Sequence, residues 1–224
     1  MRTALFIISA FLMLCTIYMI FIWVPTEQNL GVSQRIFYFH VPLAWIGMVS
    51  IIVVGVASIA HLVSGDNKWD ALAYSSAELG VIFATLILVT GAIWAKPVWG
   101  VWWSWDPKLT TTLILWFIYI GYLMVRAYSP SGSQGRRYAS VVALLGAIDA
   151  PLIYLASIWW RTAHPDLNIG PLAESSLDSA MLLTFVVALL AFTLFYIYLL
   201  WERVRIRMVE DTLDEVYQYA SVST

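Results

Sequence analysis

The chain has 224 residues, of which 61% are hydrophobic and only 12% are charged, with a formal net charge of −2 at pH 7. Soluble domains carry about 25% charged residues, so this apolar surplus excludes a single soluble core and predicts an integral membrane protein. The weakly acidic balance lacks the basic stripe that nucleic-acid binding requires, and we expect no nucleic-acid partner.

Apolar runs bounded by charge, proline or glycine are long enough to cross a bilayer, which takes about 20 mostly apolar residues. We predict six spans, at 4–24, 41–63, 74–95, 109–127, 138–158 and 179–201. The first run is too long for a signal peptide and no small-residue cleavage site follows it, so we expect a retained helix. Short connections then predict one domain over 1–224, an all-α antiparallel transmembrane bundle.

The distribution of lysine and arginine predicts the orientation of the bundle, because cytoplasmic segments carry the excess. With the N-terminus inside, the predicted cytoplasmic side holds Arg2, Lys68, Arg126, Arg136, Arg137, Arg203, Arg205 and Arg207. The outer side holds only Arg35, Lys96, Lys108 and Arg161. We therefore expect both termini to be cytoplasmic, with a cytoplasmic tail at 202–224, inner loops at 64–73 and 128–137, and outer loops at 25–40, 96–108 and 159–178.

Tryptophan is concentrated on the predicted outer side, whereas an interfacial aromatic belt would divide it between both faces. The outer set is Trp23, Trp45, Trp94, Trp99, Trp102, Trp103, Trp105, Trp159 and Trp160. Four of these indoles fall within seven residues of loop 96–108, which predicts a flat aromatic surface suited to a planar apolar ligand with a polar rim. Simple anchoring remains the alternative, especially for Trp23 and Trp201.

Asp106 and Pro107 follow the tryptophan cluster directly. An aspartate before a proline is typical of a helix N-cap with proline at the first helical position, so this pair predicts the start of the fourth span. Such a capping role is compatible with ligand binding by the preceding loop.

The sequence has three histidines, and two of them are predicted to share the outer face. His40 ends the first outer loop and His164 lies in the third, whereas His61 is about 31 Å further along the second helix at 1.5 Å per residue. Two neutral imidazoles beside aromatic walls suit the axial positions of a planar metal macrocycle, which favours haem. Zinc fits poorly, because no cysteine and few carboxylates converge there. We expect His61 to be an interfacial histidine without special chemistry.

Haem also carries two carboxylates, and the outer basic residues lie in or beside the same loops. Arg161 is the best candidate for bidentate pairing with a propionate, and Arg35 is a second candidate. The alternative explanation for these basic residues is ordinary snorkelling, in which the charged group reaches the membrane interface. For Lys96 and Lys108 the two explanations are equally good.

The segment from Trp99 to Asp106, continuing to Thr110, resembles the tryptophan-rich WWD signature of haem-handling proteins in cytochrome c biogenesis. The flanking motifs Phe39-His40-Val41-Pro42 and Trp159-Trp160 leading to His164 agree. Together with the length and the predicted spans, they are similar to the CcmC family over nearly the whole chain from Arg35 onward.

The resemblance implies that haem b is bound non-covalently in the outer WWD loop (96–108), with His40 and His164 as axial ligands. It implies that the residues of this loop contact haem or a haem chaperone, namely Trp99, Trp102, Trp103, Trp105 and Asp106. It further implies a place in the bacterial inner membrane, delivery of haem to the chaperone CcmE, and partnership with CcmA, CcmB and CcmD. We identify no nucleophile or general base for bond formation, so enzymatic activity stays open.

Three other functions compete with haem delivery. A cytochrome c synthase of the CcsA or CcmF type belongs to the same wider family but is generally longer. An electron-carrying cytochrome b would need histidine pairs at two depths, and the inner side offers only His61. A transporter should show polar groups at the midplane, where Asp149 stands just before Pro151. That carboxyl is either functional or bonded within the proline kink.

Overall fold

A computed structural model of the chain describes residues 2–129, 132–160, 162, 164 and 177–222. Within these residues, six helices are long and apolar enough to cross a membrane. They are α1 (Arg2–Tyr18), α2 (Phe37–Ser64), α3 (Asn67–Trp99), α4 (Pro107–Tyr128), α5 (Ser133–Trp159) and α6 (Ser179–Val222). A π-helical turn (Met19–Trp23) extends α1, and a 3-10 helix (Val32–Ile36) leads into α2. The prediction of an all-α multi-span protein is confirmed.

Helix α2 lies at the centre of the bundle, in contact with α3, α5 and α6. Only Gly65 and Asp66 separate α2 from α3, so these two helices pack against each other in antiparallel directions. Glycine lets the backbones approach closely, since a Cβ built on Gly55 would lie 2.9 Å from the Ala147 side chain. Helix α4 packs on α5 and α3, and α1 packs on α6. Small residues at helix contacts are the usual means of close packing in membranes.

The first outer loop is shorter than the predicted 25–40, because helical structure begins at Val32 and α2 at Phe37. The ring centroid of Phe37 lies 5.3 Å from that of Phe185 and 6.2 Å from that of Trp94. These contacts fix the segment as helix against α6 and α3. His40 therefore lies in the first turn of α2 rather than at the end of a loop.

The WWD loop is also shorter than predicted, since residues 96–99 belong to α3 and α4 begins at Pro107. Gly100, with a φ of 77°, ends α3 in the left-handed conformation that glycine adopts readily. Its N–H donates to the Lys96 carbonyl at 3.0 Å, and the Lys96 ammonium donates to the Gly100 carbonyl at 2.8 Å. The side chain of Lys96 therefore has a structural role in closing the C-terminal end of α3.

The predicted inner loop at 64–73 is reduced to two residues, because Asp66 caps α3 by accepting the Lys68 N–H at 2.9 Å. At the C-terminus, residues of the predicted tail 202–224 continue α6 as far as Val222. In the third outer segment, α5 ends at Trp159 and α6 begins at Ser179. Most of the predicted loop 159–178 lies outside the described residues.

Charged and aromatic residues connect four helices at the end of the bundle opposite His40. Asp70 on α3 is 1% exposed, and its carboxylate lies 2.9 Å from the Arg126 guanidinium on α4 and 3.9 Å from that of Arg136 on α5. On the α6 side, the Arg207 guanidinium lies 4.3 Å from the ring centroid of Tyr74. This cluster connects α3 to α4, α5 and α6 at that end.

Replacing Asp70 by Asn should lower the free energy of unfolding by about 3–5 kcal/mol, because two buried guanidinium groups would lose their counter-charge. Equilibrium unfolding of the detergent-solubilised full chain measures the change. The matched control is Glu202→Gln, since Glu202 pairs at 3.0 Å with the half-exposed Arg2, and an ion pair that is partly open to solvent contributes about 0–1 kcal/mol. Equal losses in the two variants would contradict this account of the cluster.

Candidate functional site

The imidazole rings of His40 and His164 lie side by side at one end of the bundle. Their centroids are 6.4 Å apart and their planes are inclined by 39°. A metal–imidazole bond is about 2 Å long, and the ring centre lies about 1 Å beyond the nitrogen. When two imidazoles bind one metal ion from opposite sides, their ring centroids are therefore about 6 Å apart. The separation of these two rings therefore fits a single metal ion held between them.

His61 lies at the opposite end of α2, near the Asp70 cluster. It is buried, and its Nδ1 lies 3.1 Å from the Asp66 carbonyl oxygen. The expectation of an interfacial histidine stays a prediction, and the structure adds that His61 is buried within the bundle, where it links the end of α2 to the cap of α3. Its position excludes a common metal with His40 and His164.

His40 is buried against one face of α3. Its Nδ1 lies 2.9 Å from the Thr90 hydroxyl oxygen, and its ring meets the Trp94 indole edge-on at a centroid distance of 5.9 Å. Gly91 lies beneath the ring, where a Cβ would come within 3.1 Å of His40 Cε1. Helix α3 thus fixes both the position and the tilt of this imidazole.

His164 is connected to the WWD loop by hydrogen bonds through Thr162. The backbone N–H of His164 donates to the Thr162 hydroxyl oxygen at 3.0 Å, and that hydroxyl donates to the Asp106 carboxylate at 2.5 Å. The same carboxylate oxygen accepts the Lys108 N–H at 3.0 Å, which confirms the predicted N-cap of α4. Asp106 therefore both starts α4 and holds the segment that carries His164.

The tryptophans of the WWD loop do not form the flat surface that the sequence suggested. The rings of Trp103 and Trp105 are nearly perpendicular, at 83°, with centroids 5.8 Å apart. Trp99, in the last turn of α3, meets the His164 ring edge-on at 6.4 Å, whereas Trp102 and Trp105 are exposed. Residues 100–106 lack regular helix, so successive indoles point in different directions.

Two buried donors of the segments around α2 and α3 suit a ligand with a polar rim. The Trp94 Nε1 and the Arg35 Nε are buried and lack a hydrogen-bond partner among the described residues. Arg35 lies on the 3-10 helix one turn before α2. Arg161 lies outside the described residues, so its pairing with a propionate stays a prediction. Two imidazoles at metal spacing, with the unsatisfied Trp94 indole N–H beside His40, fit haem.

Thr90, Gly91 and Thr162 contribute to this geometry although sequence reasoning did not single them out. Trp94 was noted only as one of the outer tryptophans. A sequence signal for three of these residues exists, since positions 90 and 91 each lie one helical turn before position 94 and all three share a face of α3. The partner on that face is a residue of another helix, which spacing alone does not identify.

These features define a multi-span helical membrane protein with paired histidines at one end of the bundle. Residues 1–218 match the family model described as "Heme exporter protein C", CcmC. The chain therefore belongs to the CcmC family, and the resemblance noted in the sequence is confirmed.

Relatives with this description come from several bacteria. The protein of Bradyrhizobium diazoefficiens is 35% identical over 175 residues, which cover 78% of this chain and 66% of that protein. That of Haemophilus influenzae is 32% identical over 200 residues, covering 89% of this chain and 81% of the relative. The protein of Escherichia coli K12 is 34% identical over 158 residues, which cover 70% of this chain and 63% of that protein.

Asp106→Ala should increase amide hydrogen exchange in the segment around Thr162 and His164, because that segment loses its attachment to α4. The matched control is Asp66→Ala, which removes an equivalent cap from α3 at the other end of the bundle. Both variants should lose about 1 kcal/mol of stability, but only Asp106→Ala should change exchange near His164. Unchanged exchange in Asp106→Ala would contradict the proposed connection.

Proposed function

We propose that this chain holds haem b non-covalently at the outer face of the bacterial inner membrane and delivers it to the haem chaperone CcmE for c-type cytochrome biogenesis. Membership of the CcmC family supports a role in haem handling. The observation that carries the finer proposal is the 6.4 Å separation of the His40 and His164 rings.

His40 and His164 are the axial ligands in this proposal. Haem supplies an iron with two open axial positions and a planar apolar face. Helix α3 orients His40 through Thr90 and Trp94, and Asp106 orients the His164 segment through Thr162. The chain thereby pre-organises both ligands, so little freedom remains to be lost on binding.

The rim of haem would be recognised by donors of the outer segments. Arg35 and Arg161 are assigned to the propionates, because guanidinium pairs with carboxylate in a bidentate manner. The buried Trp94 Nε1 is a further donor beside His40. Its lack of a partner among the described residues supports this role, since buried polar groups are normally hydrogen-bonded.

The exposed part of the WWD loop is assigned to the chaperone. Trp102 and Trp105 are 58% and 75% exposed, and aromatic residues are enriched at protein interfaces. Trp99, Trp103 and Asp106 are assigned to haem in this proposal, which is supported by the contact of Trp99 with His164 and by the attachment of the His164 segment to Asp106. The chain acts as a platform that brings haem and chaperone together, and we assign it no nucleophile or general base.

The remaining partners follow from the family and the charge distribution. CcmA, CcmB and CcmD are proposed to complete the complex, and membrane lipid surrounds the exposed apolar helix faces. The excess of lysine and arginine at the end opposite His40 supports cytoplasmic termini. His40, His164 and the WWD loop then face the outside, where cytochrome c maturation would receive the haem.

An electron-carrying cytochrome b is a less favoured function for this chain. Such a protein would need a second haem at the inner side, held by two ligands, but His61 is the one histidine of the sequence that is left for it. The Nδ1 of His61 also lies at hydrogen-bonding distance from the Asp66 carbonyl. The wider CcsA-type synthase reading stays open as an alternative, because it would use the same outer histidines.

His40→Ala and His164→Ala should each abolish haem retention, because each removes one axial ligand. Purification of the full chain in detergent, followed by optical spectroscopy, measures the bound haem and its bis-histidine low-spin spectrum. The control is His61→Ala, which removes a buried histidine at the other end and should keep wild-type haem content. Loss of haem in His61→Ala alone would overturn the assignment of the ligands.

A further inference from the structure

We propose that Thr90 is a positioning residue that fixes His40 in the tautomer and orientation required to bind iron. The inference rests on the proposed function, since it concerns one of the two proposed ligands. It also means that α3, although it supplies neither ligand, controls how strongly His40 binds haem.

The tautomer follows from the hydrogen bonds of the Thr90 hydroxyl. This hydroxyl lies 2.7 Å from the Leu86 carbonyl oxygen, one turn earlier in α3, and 3.3 Å from that of Ile87. A threonine hydroxyl has a single hydrogen, and a carbonyl can only accept. The hydrogen is therefore donated to the backbone, and the Thr90 oxygen is left as an acceptor for His40.

His40 must consequently donate its Nδ1–H to Thr90, across the 2.9 Å that separates the two atoms. A neutral imidazole carries one N–H and one lone pair. With the proton on Nδ1, the lone pair is on Nε2, which is the nitrogen available to a metal. A hydrogen-bond acceptor on the opposite nitrogen also makes the metal-bound nitrogen more basic.

The orientation of the ring is restricted by two further residues of the same face of α3. Trp94 contacts the ring at a plane angle of 63°, and Gly91 provides the space that the ring occupies. A Cβ at position 91 would lie 3.1 Å from His40 Cε1, which is closer than ordinary van der Waals contact. Rotation about the Cβ–Cγ bond of His40 would break the Thr90 hydrogen bond.

Helix α3 contains a second threonine with the same pattern of hydrogen bonds. The Thr85 hydroxyl donates to the Val81 carbonyl at 2.8 Å and accepts the indole N–H of Trp116 at 2.8 Å. Thr85 thus holds an aromatic N–H of a neighbouring helix as Thr90 does, but its partner is not a proposed ligand. It provides a control for the general effect of losing such a bond.

The test compares Thr90→Val, Thr90→Ser and Thr85→Val in the detergent-solubilised full chain, titrated with haem. Loss of a supporting partner of a metal-bound histidine lowers metal affinity roughly 10–100-fold, and we expect this for Thr90→Val. Its ferric–ferrous midpoint potential should rise, because a less basic imidazole stabilises ferric iron less. Thr90→Ser restores the acceptor and should restore both values, and Thr85→Val should leave both unchanged.

A second pair of variants tests the ring position without removing the hydrogen-bond acceptor. Gly91→Ala should push the His40 ring by a few tenths of an ångström, weaken haem binding and alter the low-spin spectrum. Gly121→Ala on α4 is its control, because a Cβ there meets nothing within 4 Å. If Thr90→Val does not fold, this pair tests the orientation of the ring together with Thr90→Ser. Unchanged haem binding in Gly91→Ala would then overturn the inference.

Wild-type affinity and potential in Thr90→Val would overturn the inference, and so would equal losses in Thr90→Val and Thr85→Val. Either result leaves the proposed function intact as long as His40→Ala and His164→Ala lose haem. Retention of haem by both histidine variants would instead overturn the proposed function, and the role of Thr90 with it.

Discussion

The close approach of two imidazoles from distant parts of the chain is the contact on which the functional account depends. His40 is carried by the first turn of α2, and His164 by the segment between α5 and α6, yet their ring centroids are 6.4 Å apart. Neither ring reaches this position through its own element alone. Thr90 and Trp94 of α3 hold the first, and Asp106 at the start of α4 holds the second through Thr162.

Helix α3 is the scaffold that connects the two ends of the bundle. At its C-terminal end it supports both histidines, since Trp99 in its last turn contacts His164. At the other end Asp70 anchors it to α4 and α5 through buried guanidinium groups. A buried ion pair is costly to break, because the remaining charge stays uncompensated. Fixing α3 in this way restricts the movement of the platform on which the ligands rest, as a pre-organised site requires.

The membrane spans and the pairing of the outer histidines could be predicted, because apolar length and helical rise are local properties of the sequence. The loop ends were less predictable. The aromatic residues before His40 form helix because they pack on Trp94 and Phe185, a contact with distant segments. The indoles of the WWD loop were expected to form a flat surface, but their directions depend on an irregular backbone. The spacing of Thr90 and Trp94 places them on one face of α3, but it does not identify their partner, His40, which lies fifty residues away from Thr90 on α2.

A structure of the full chain loaded with haem tests the central claim most directly. We predict a single haem iron bonded to the Nε2 atom of His40 and to a ring nitrogen of His164, with the Nδ1–H of His40 still donated to Thr90. The two ring centroids should remain about 6 Å apart, as metal–imidazole bond lengths require. Haem bound elsewhere on the chain, or an iron that takes only one of these two histidines as a ligand, would contradict it.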